Sequence, residues 1–378
     1  MTAAAAIEAS SYLSRTSARW ALGGIVLVTL AGLAVGWNRG GLPQRAAPAP
    51  SAAATTAPDL QLYREMVAAV RGGGDYYAVG REKLPSFGFP IHSPLNWRLP
   101  TYAWLWSLLP GPWAIQVALL LLVLAALALA FQAEARRNGL ARAGLLVFLL
   151  FGALRWSLDG DAFLAQEVWA ATLVLISLSA HALGWRWLAV GAGIVALLFR
   201  ELAMPYCLIA AGMACWQRRW WETAGWSAGI AVFCAFFAWH VSSVQAQLAG
   251  LGTAGSSDLS QWLRCGGLDF VLLTGRMNSL LFVAPAAALW FYVVASLFGL
   301  ASRSDETSQV ACLAALLYLL AFAIAGRPEN FYWGLMYAPL LPWGLVQFPG
   351  AILRLGQAAF DSQKASPESI GCLAPRSS

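Results

Sequence analysis

The chain has 378 residues, of which 59% are hydrophobic and 11% are charged, and its formal net charge is +6. An ordinary soluble domain has about 25% charged residues, whereas apolar stretches of about twenty residues recur here, which is typical of a polytopic α-helical membrane protein. The arginines lie mostly at the ends of these stretches rather than in one patch, which favours contact with the lipid bilayer and argues against nucleic acid as a partner.

The apolar stretches predict about nine or ten membrane elements. Arginines beside alternate short loops predict that the N-terminus is cytoplasmic and that the loop after the first element is outside. We interpret the first element as a retained anchor, because it is long for a signal peptide; cleavage near the Ala/Pro run 46–57 is the alternative. The elements lie at about 20–37, 112–132, 143–157, 165–184, 187–200, 202–216, 223–241, 279–299, 309–326 and 332–350.

This pattern predicts three regions and two long outer loops. The regions are a cytoplasmic N-terminal segment (1–19), a transmembrane domain (20–353) and a cytoplasmic tail (354–378). The outer loops span 38–99 and 242–278.

The first outer loop contains a predicted helix that begins at Asp59. Apolar residues recur at spacings of three and four from Leu60 to Val70, and three glycines from Gly72 end the pattern. Two interpretations of Asp59 are open. It is favoured in a first helical turn by the helix dipole, and a partly desolvated carboxylate beside the bilayer is also suited to accept a proton from an attacking hydroxyl.

Arg98 lies near the end of the same loop, before an aromatic run from Tyr102 to Trp106. Its side chain is interpreted either as an interfacial arginine that reaches for headgroups or as a clamp for the phosphate of a lipid-linked substrate. Tyr76 and Tyr77 either stack against a sugar ring or form the core of the loop.

Residues 187–216 consist of two short apolar halves that flank Arg200 and Glu201. Since Arg186 precedes them and arginines follow them, both ends are expected on the cytoplasmic side, with Arg200 and Glu201 at the outer tip of a hairpin. Charges inside a membrane segment cost about 2.5–3.5 kcal/mol each, so they are expected to face a cavity or a partner. The alternative is that these two charges simply neutralise each other at a polar turn.

Two further polar turns are expected on the outer side. Asp159 and Asp161 are separated by one glycine, a spacing that suits a divalent cation such as Mg or Mn but is also common in ordinary turns. Glu167 begins the next apolar helix and is expected to face the interior of the bundle. Arg327 and Asn330 either contact a phosphate or sugar or belong to a polar turn with an interfacial Tyr332.

Several short patches spread over most of the chain match a known family. They are Asp59 with Tyr63, Gly74-Asp75-Tyr76-Tyr77, Arg98-Leu99-Pro100-Thr101, Phe199-Arg200-Glu201-Leu202 and Pro328-Glu329-Asn330-Phe331-Tyr332-Trp333-Gly334. Together with the layout of the chain, they resemble the GT-C class of integral-membrane glycosyltransferases, and in particular predicted bacterial cell-surface glycopolymer formation membrane proteins.

The resemblance implies an all-α, polytopic membrane bundle with a long exoplasmic first loop. It also implies an inverting transfer of a sugar from a polyprenyl-phosphate donor to a cell-surface glycan or lipid acceptor, on the periplasmic side of a bacterial inner membrane. The implied roles are Asp59 as catalytic base, Arg98, Arg200 and Arg327 for the donor phosphate, and Asp159 and Asp161 as ligands of a possible divalent cation. In addition, we predict that substrate is bound by Tyr63, Tyr76, Tyr77, Glu167, Glu201, Asn330 and Tyr332.

The sequence departs from the family pattern in two places. Leu60 follows Asp59, where many GT-C enzymes carry an acidic pair, and a short polar tail follows the last predicted element, where many carry a soluble domain. The first departure puts a dependence on metal in doubt and keeps open a degenerate member that binds lipid-linked sugar without transferring it. The second suggests a minimal enzyme or one that needs a partner, such as an envelope-assembly protein. The alternative to an enzyme is a non-catalytic transporter or scaffold for surface polysaccharide assembly.

Overall fold

The computed structural model describes residues 15–38, 58–249 and 265–360, and its regular elements over these ranges are helices without strands. This confirms the predicted all-α class. Four parts of the chain lie outside the described residues: residues 1–14, residues 39–57 with the Ala/Pro run, residues 250–264 of the second outer loop, and the tail beyond residue 360. The α-helices are α1 (Arg15–Asn38), α2 (Pro58–Arg71), α3 (Tyr76–Ser86), α4 (Thr101–Ser107), α5 (Pro112–Asn138), α6 (Leu140–Leu154), α7 (Gln166–Ala182), α8 (Arg186–Phe199), α9 (Met204–Trp216), α10 (Trp220–Leu248), α11 (Gly267–Gly275), α12 (Ala286–Ala301), α13 (Glu306–Ile324), α14 (Leu341–Leu345) and α15 (Phe348–Phe360).

Helices α5, α10 and α13, together with α6 and the turn that follows it, are long and apolar enough to cross a membrane. The apolar parts of α1, α8, α9 and α12 are shorter. The exposed surfaces of the long helices carry large apolar side chains, such as Leu121 of α5 and Val232 of α10, which suits contact with lipid. The protein is therefore a multi-pass membrane protein.

Helix α7 lies in the centre of the bundle, where it packs against α5 and α8. Every residue from Gln166 to Ala180 is buried. Its sequence is apolar on all sides, which is the composition expected of a helix surrounded by other helices. The polar exceptions at its N-terminus, Gln166 and Glu167, therefore lie inside the protein.

Helices α8 and α9 form the predicted hairpin. Arg186, at the start of α8, and Arg219, just after α9, both bind Glu222, with nitrogen–oxygen distances of 2.9 and 2.7 Å. Arg200 lies at the turn between the two helices, where its extended backbone ends α8. We call the side of the bundle that holds Asp59 and Arg200 the Asp59 face, and the opposite side the Glu222 face.

The last predicted element, 332–350, is not one helix. A 3-10 segment (Pro328–Met336) is followed by the short α14 and then by α15, which begins inside the predicted element and continues into the predicted tail. Pro339, Pro342 and Pro349 interrupt this stretch, because proline lacks the N–H that a continuous helix needs and clashes with the preceding turn. The apolar composition predicts one membrane element here, and it does not predict the breaks.

Helices α12 and α14 contact each other through their backbones. Gly299 and Gly344 face each other at this contact, and a Cβ on either residue would overlap backbone atoms of the other helix. The broken C-terminal stretch is thereby fixed against the rest of the bundle.

Candidate active site

The first-loop helices contribute aromatic side chains to a hydrophobic core that they share with the bundle. Helix α2 begins at Pro58, one residue before the predicted start, and Leu62, Tyr63, Met66 and Val67 are its buried residues. The turn that ends it contains Gly73 with a positive φ of 91°, a conformation that glycine adopts at no steric cost. The loop is thus an ordered structure that can hold side chains in fixed positions.

Asp59 lies in the first turn of α2 and is partly buried. Burial raises the pKa of the Asp59 carboxyl; the positive charges of Arg98 and Arg200 oppose this rise, and the negative charge of Glu167 adds to it. Three charged residues predicted for the site are therefore within electrostatic range of Asp59. A carboxylate whose pKa is raised is a better proton acceptor than an ordinary exposed one.

Arg98 connects the first loop to the C-terminal part of the chain. Its Nε donates a hydrogen bond to the hydroxyl of Tyr63 (2.8 Å), and its Nη2 donates to the hydroxyl of Tyr332 (3.1 Å). The Tyr332 hydroxyl lies 3.5 Å from Oδ1 of Asn330, to which it donates. The Arg98 carbonyl accepts a hydrogen bond from Tyr76. Arg98 is thus held by its side chain and its backbone, and the structure brings Tyr63, Tyr332 and Asn330 to it.

Arg200 and Glu167 form a buried ion pair beside this group. Nε of Arg200 lies 2.8 Å from Oε1 of Glu167, and the two side chains are 1% and 2% exposed. Nη1 of Arg200 also contacts Glu201 at 2.9 Å, and the Glu201 side chain is 25% exposed. Arg200 therefore pairs both with Glu201, its neighbour in the turn, and with Glu167 of the central helix α7.

Arg327 immediately precedes the 3-10 segment that carries Tyr332, and it is partly buried. That segment contacts both α7 and the turn after Arg200. The phosphate-binding role of Arg327 stays a prediction.

The turn after α6 holds its two aspartates in ion pairs. Asp159 lies 3.0 Å from Nη2 of Arg155, and Asp161 pairs with Arg64 of α2. Over the ranges given above, no group of three or more histidine, cysteine, aspartate or glutamate side chains is placed to hold a metal ion. The turn fits a role in fixing α2 against the bundle, and the predicted divalent cation stays a prediction.

Tyr76 and Tyr77 are buried, with 1% and 5% of their surface exposed. Their rings pack edge to face at 5.2 Å, and the Tyr77 hydroxyl lies 3.0 Å from Nδ1 of His240. This burial favours the loop-core alternative for both tyrosines. His240 lies in α10 with its Nε2 3.1 Å from the carbonyl of Trp97, so it ties the loop to the bundle.

The fold of this chain resembles that of known membrane proteins. The crystal structure of ArnT from Cupriavidus metallidurans bound to undecaprenyl phosphate, a GT-C glycosyltransferase, matches 88% of this chain with a TM-score of 0.50 and 16% identity. The chain has a GT-C-like fold. It spans 62% of the length of that ArnT chain. ArnT from the same organism in the apo state matches with a TM-score of 0.45 and 18% identity, over 88% of this chain and 60% of that one.

No protein-family model matches the sequence. A search of curated proteins gave no match either.

Sequence reasoning did not assign Gln166 a role in this GT-C bundle. Its side chain is 1% exposed, and neither polar atom of its amide has a hydrogen-bond partner among the described residues. Buried polar atoms are almost always hydrogen-bonded, so the unpaired Gln166 amide beside Glu167 is a group that a bound ligand or a water molecule would satisfy. The signal in the sequence is a second polar residue at the start of an otherwise apolar helix.

Proposed function

We propose that this protein is a membrane glycosyltransferase. It transfers a sugar from a polyprenyl-phosphate donor to a glycan or lipid acceptor, on the periplasmic face of a bacterial inner membrane. The observation that carries the proposal is Asp59, a partly desolvated carboxylate with Arg98 and Arg200 in electrostatic range, on a GT-C fold. The solved ArnT with this fold is bound to undecaprenyl phosphate, which belongs to the proposed class of leaving group.

In the proposed reaction, Asp59 accepts the proton of the acceptor hydroxyl. The hydroxyl oxygen attacks the anomeric carbon from the side opposite the phosphate, so the configuration inverts. The bond between the anomeric carbon and the phosphate oxygen breaks, its electron pair stays on that oxygen, and polyprenyl phosphate leaves with one more negative charge. Asp59 is suited to this step because burial makes its carboxylate more basic.

Arg98 and Arg200 are proposed to stabilise the charge that develops on the leaving phosphate. Guanidinium groups pair bidentately with phosphate, and fixed charges in a water-poor site stabilise a transition state strongly. Arg98 is already oriented by two tyrosine hydroxyls and Arg200 by two carboxylates, so neither side chain must reorganise when the charge appears. Arg327 is the third proposed phosphate ligand. The proposal assigns no step to a divalent cation, since Asp159 and Asp161 are engaged with arginines.

The experiment that tests the function uses the purified protein in lipid vesicles. Synthetic polyprenyl-phosphate sugars are supplied together with a membrane extract as acceptor source, and released polyprenyl phosphate is measured. Release that depends on the protein supports the transferase. Donor that binds but is never consumed with any sugar or acceptor fraction would favour a scaffold or a sugar-binding protein instead.

The effect of Arg98 on Asp59 gives a pH prediction. An ionised Asp59 is needed as base, so the rate falls as the pH falls through its pKa. Because Arg98 lowers that pKa, we expect Arg98→Gln to move the acid limb of the pH–rate profile to higher pH, in addition to slowing the reaction. Arg81→Gln, an exposed arginine of α3, serves as the control and should leave the profile unchanged. An acid limb in Arg98→Gln that coincides with that of the wild type would contradict the coupling.

A further inference from the structure

Three arginines converge on the Glu222 face, about 22 Å from the Asp59 face, which is the length of α6. Arg142 lies in the first turn of α6, Arg303 between α12 and α13, and Arg354 in α15. Nη1 of Arg142 and Nη1 of Arg303 lie 3.2 and 3.4 Å from the same oxygen, Oε1 of Gln347. Two guanidinium groups thus share one neutral acceptor, and Gln347 itself is buried.

Arg354 lies beside Arg142. A Cβ built on Gly350 would be 3.1 Å from Nη2 of Arg142 and 3.4 Å from Nη1 of Arg354, so the two guanidinium groups flank this glycine. Burial, and then the positive charges of Arg303 and Arg142, lower the pKa of Arg354. The guanidinium groups of Arg142 and Arg303 are therefore close enough to Arg354 for their positive charges to repel that of Arg354.

The carboxylates around this cluster are already shared. Asp305 lies 2.6 Å from Nε of Arg303 and 3.1 Å from Nη1 of Arg137. Glu134 accepts hydrogen bonds from the amides of Gln347 (3.0 Å) and Asn138 (2.9 Å). The two carboxylates thus face four arginines, the three of the cluster and Arg137. The cluster therefore keeps a net positive charge that a bound anion would neutralise.

Helix α15, which carries Arg354, has one buried side and one exposed apolar side. Ala351, Leu355 and Ala359 are its buried residues, and Leu355 and Ala359 pack with Ala18 of α1. On its other side, Leu353 and Phe360 are 66% and 68% exposed. A helix with one buried side, a charged edge and exposed large apolar side chains suits the interface between lipid tails and headgroups.

We propose that Arg142, Arg303 and Arg354 bind the phosphate group of an anionic phospholipid in the leaflet at the Glu222 face. Guanidinium groups recognise phosphate oxygens, and basic pockets between membrane helices are suited to lipid headgroups. Phosphate is the shared chemistry of a lipid and a soluble anion. The exposed Leu353 and Phe360 favour the lipid, because its acyl chains would lie against them. The site is remote from Asp59 and does not depend on the proposed transferase activity.

The test compares melting temperatures of the full-length protein in a neutral detergent. Arg354→Gln removes one like charge, so without lipid this variant should melt at the same temperature as the wild type or higher. Phosphatidylglycerol should raise the melting temperature of the wild type by about 3 °C more than phosphatidylcholine does. Arg354→Gln should lose at least half of that difference. The matched control is Arg136→Gln, which replaces an exposed arginine near the C-terminal end of α5, on the Glu222 face.

Two results would overturn the proposal. One is an equal phosphatidylglycerol shift in the wild type and in Arg354→Gln. The other is a shift of the same size with inorganic phosphate alone, which would assign the cluster to a soluble anion. A shift that needs phosphatidylglycerol, survives in Arg136→Gln and is reduced in Arg354→Gln would support the lipid site.

Discussion

Asp59→Asn is expected to lower the rate of sugar transfer by about 10²–10⁴-fold, the usual contribution of a general base. The amide keeps the shape of the side chain but cannot take up the proton of the acceptor hydroxyl. Asp59 is partly exposed at the start of α2, so the fold should tolerate the change. The measurement is release of polyprenyl phosphate by the purified variant, together with surface glycopolymer in a deletion strain that expresses it at wild-type level.

The control is Glu82→Gln, which makes the same change from carboxyl to amide in the same loop. The Glu82 side chain is 77% exposed, so its loss should leave the rate unchanged. Asp59→Ala should be as inactive as Asp59→Asn. If both Asp59 variants restore full polymer production, Asp59 is not the base, and the transporter and scaffold hypotheses become the better ones.

Arg200→Gln is expected to destabilise the protein by about 3–5 kcal/mol, because it leaves the Glu167 carboxylate buried without its cation. The Glu167 side chain is only 2% exposed, so bulk solvent would screen its unpaired charge poorly. The free energy of unfolding can be measured by tryptophan fluorescence in detergent with increasing denaturant. An unfolding curve that coincides with that of the wild type would contradict the importance of this ion pair.

The double variant Arg200→Gln, Glu167→Gln separates stability from catalysis. It removes both charges, and most of the lost stability should return, since two neutral amides replace a broken ion pair. Transfer activity should remain low if Arg200 also stabilises the leaving phosphate. A double variant with both wild-type stability and wild-type activity would limit Arg200 to a structural role.

Much of the fold could be predicted from local patterns. The spacing of apolar residues predicted α2, and the arginines at 186 and 218–219 predicted that both ends of the α8–α9 hairpin return to one side. Both predictions depend on residues close together in the sequence, and both are confirmed. The broken stretch after residue 328 was missed, because hydropathy averages over a window and gives little weight to three separate prolines.

The site was harder to predict than the fold. The sequence indicates Asp59, Arg98, Arg200 and Glu167 as charged residues beside apolar segments, and the structure brings the last three within electrostatic range of Asp59. Their catalytic and binding roles remain predictions. The partners of Arg98 could not be predicted, because Tyr63 and Tyr332 are separated from it by 35 and 234 positions, and no local pattern encodes such contacts. The same holds for Tyr77, whose partner His240 is 163 positions away.

The two bonds of Arg98 also have a consequence for the biosynthesis of the protein. Tyr63 is made before Arg98, but Tyr332 leaves the ribosome only after the α8–α9 hairpin and four further helices, α10 to α13, have been synthesised. Until then the Arg98 side chain has only its Tyr63 bond to hold it. The charged centre is therefore completed at the end of membrane insertion, so a nascent or truncated chain without the 3-10 segment would not expose a finished site to the lipids around it.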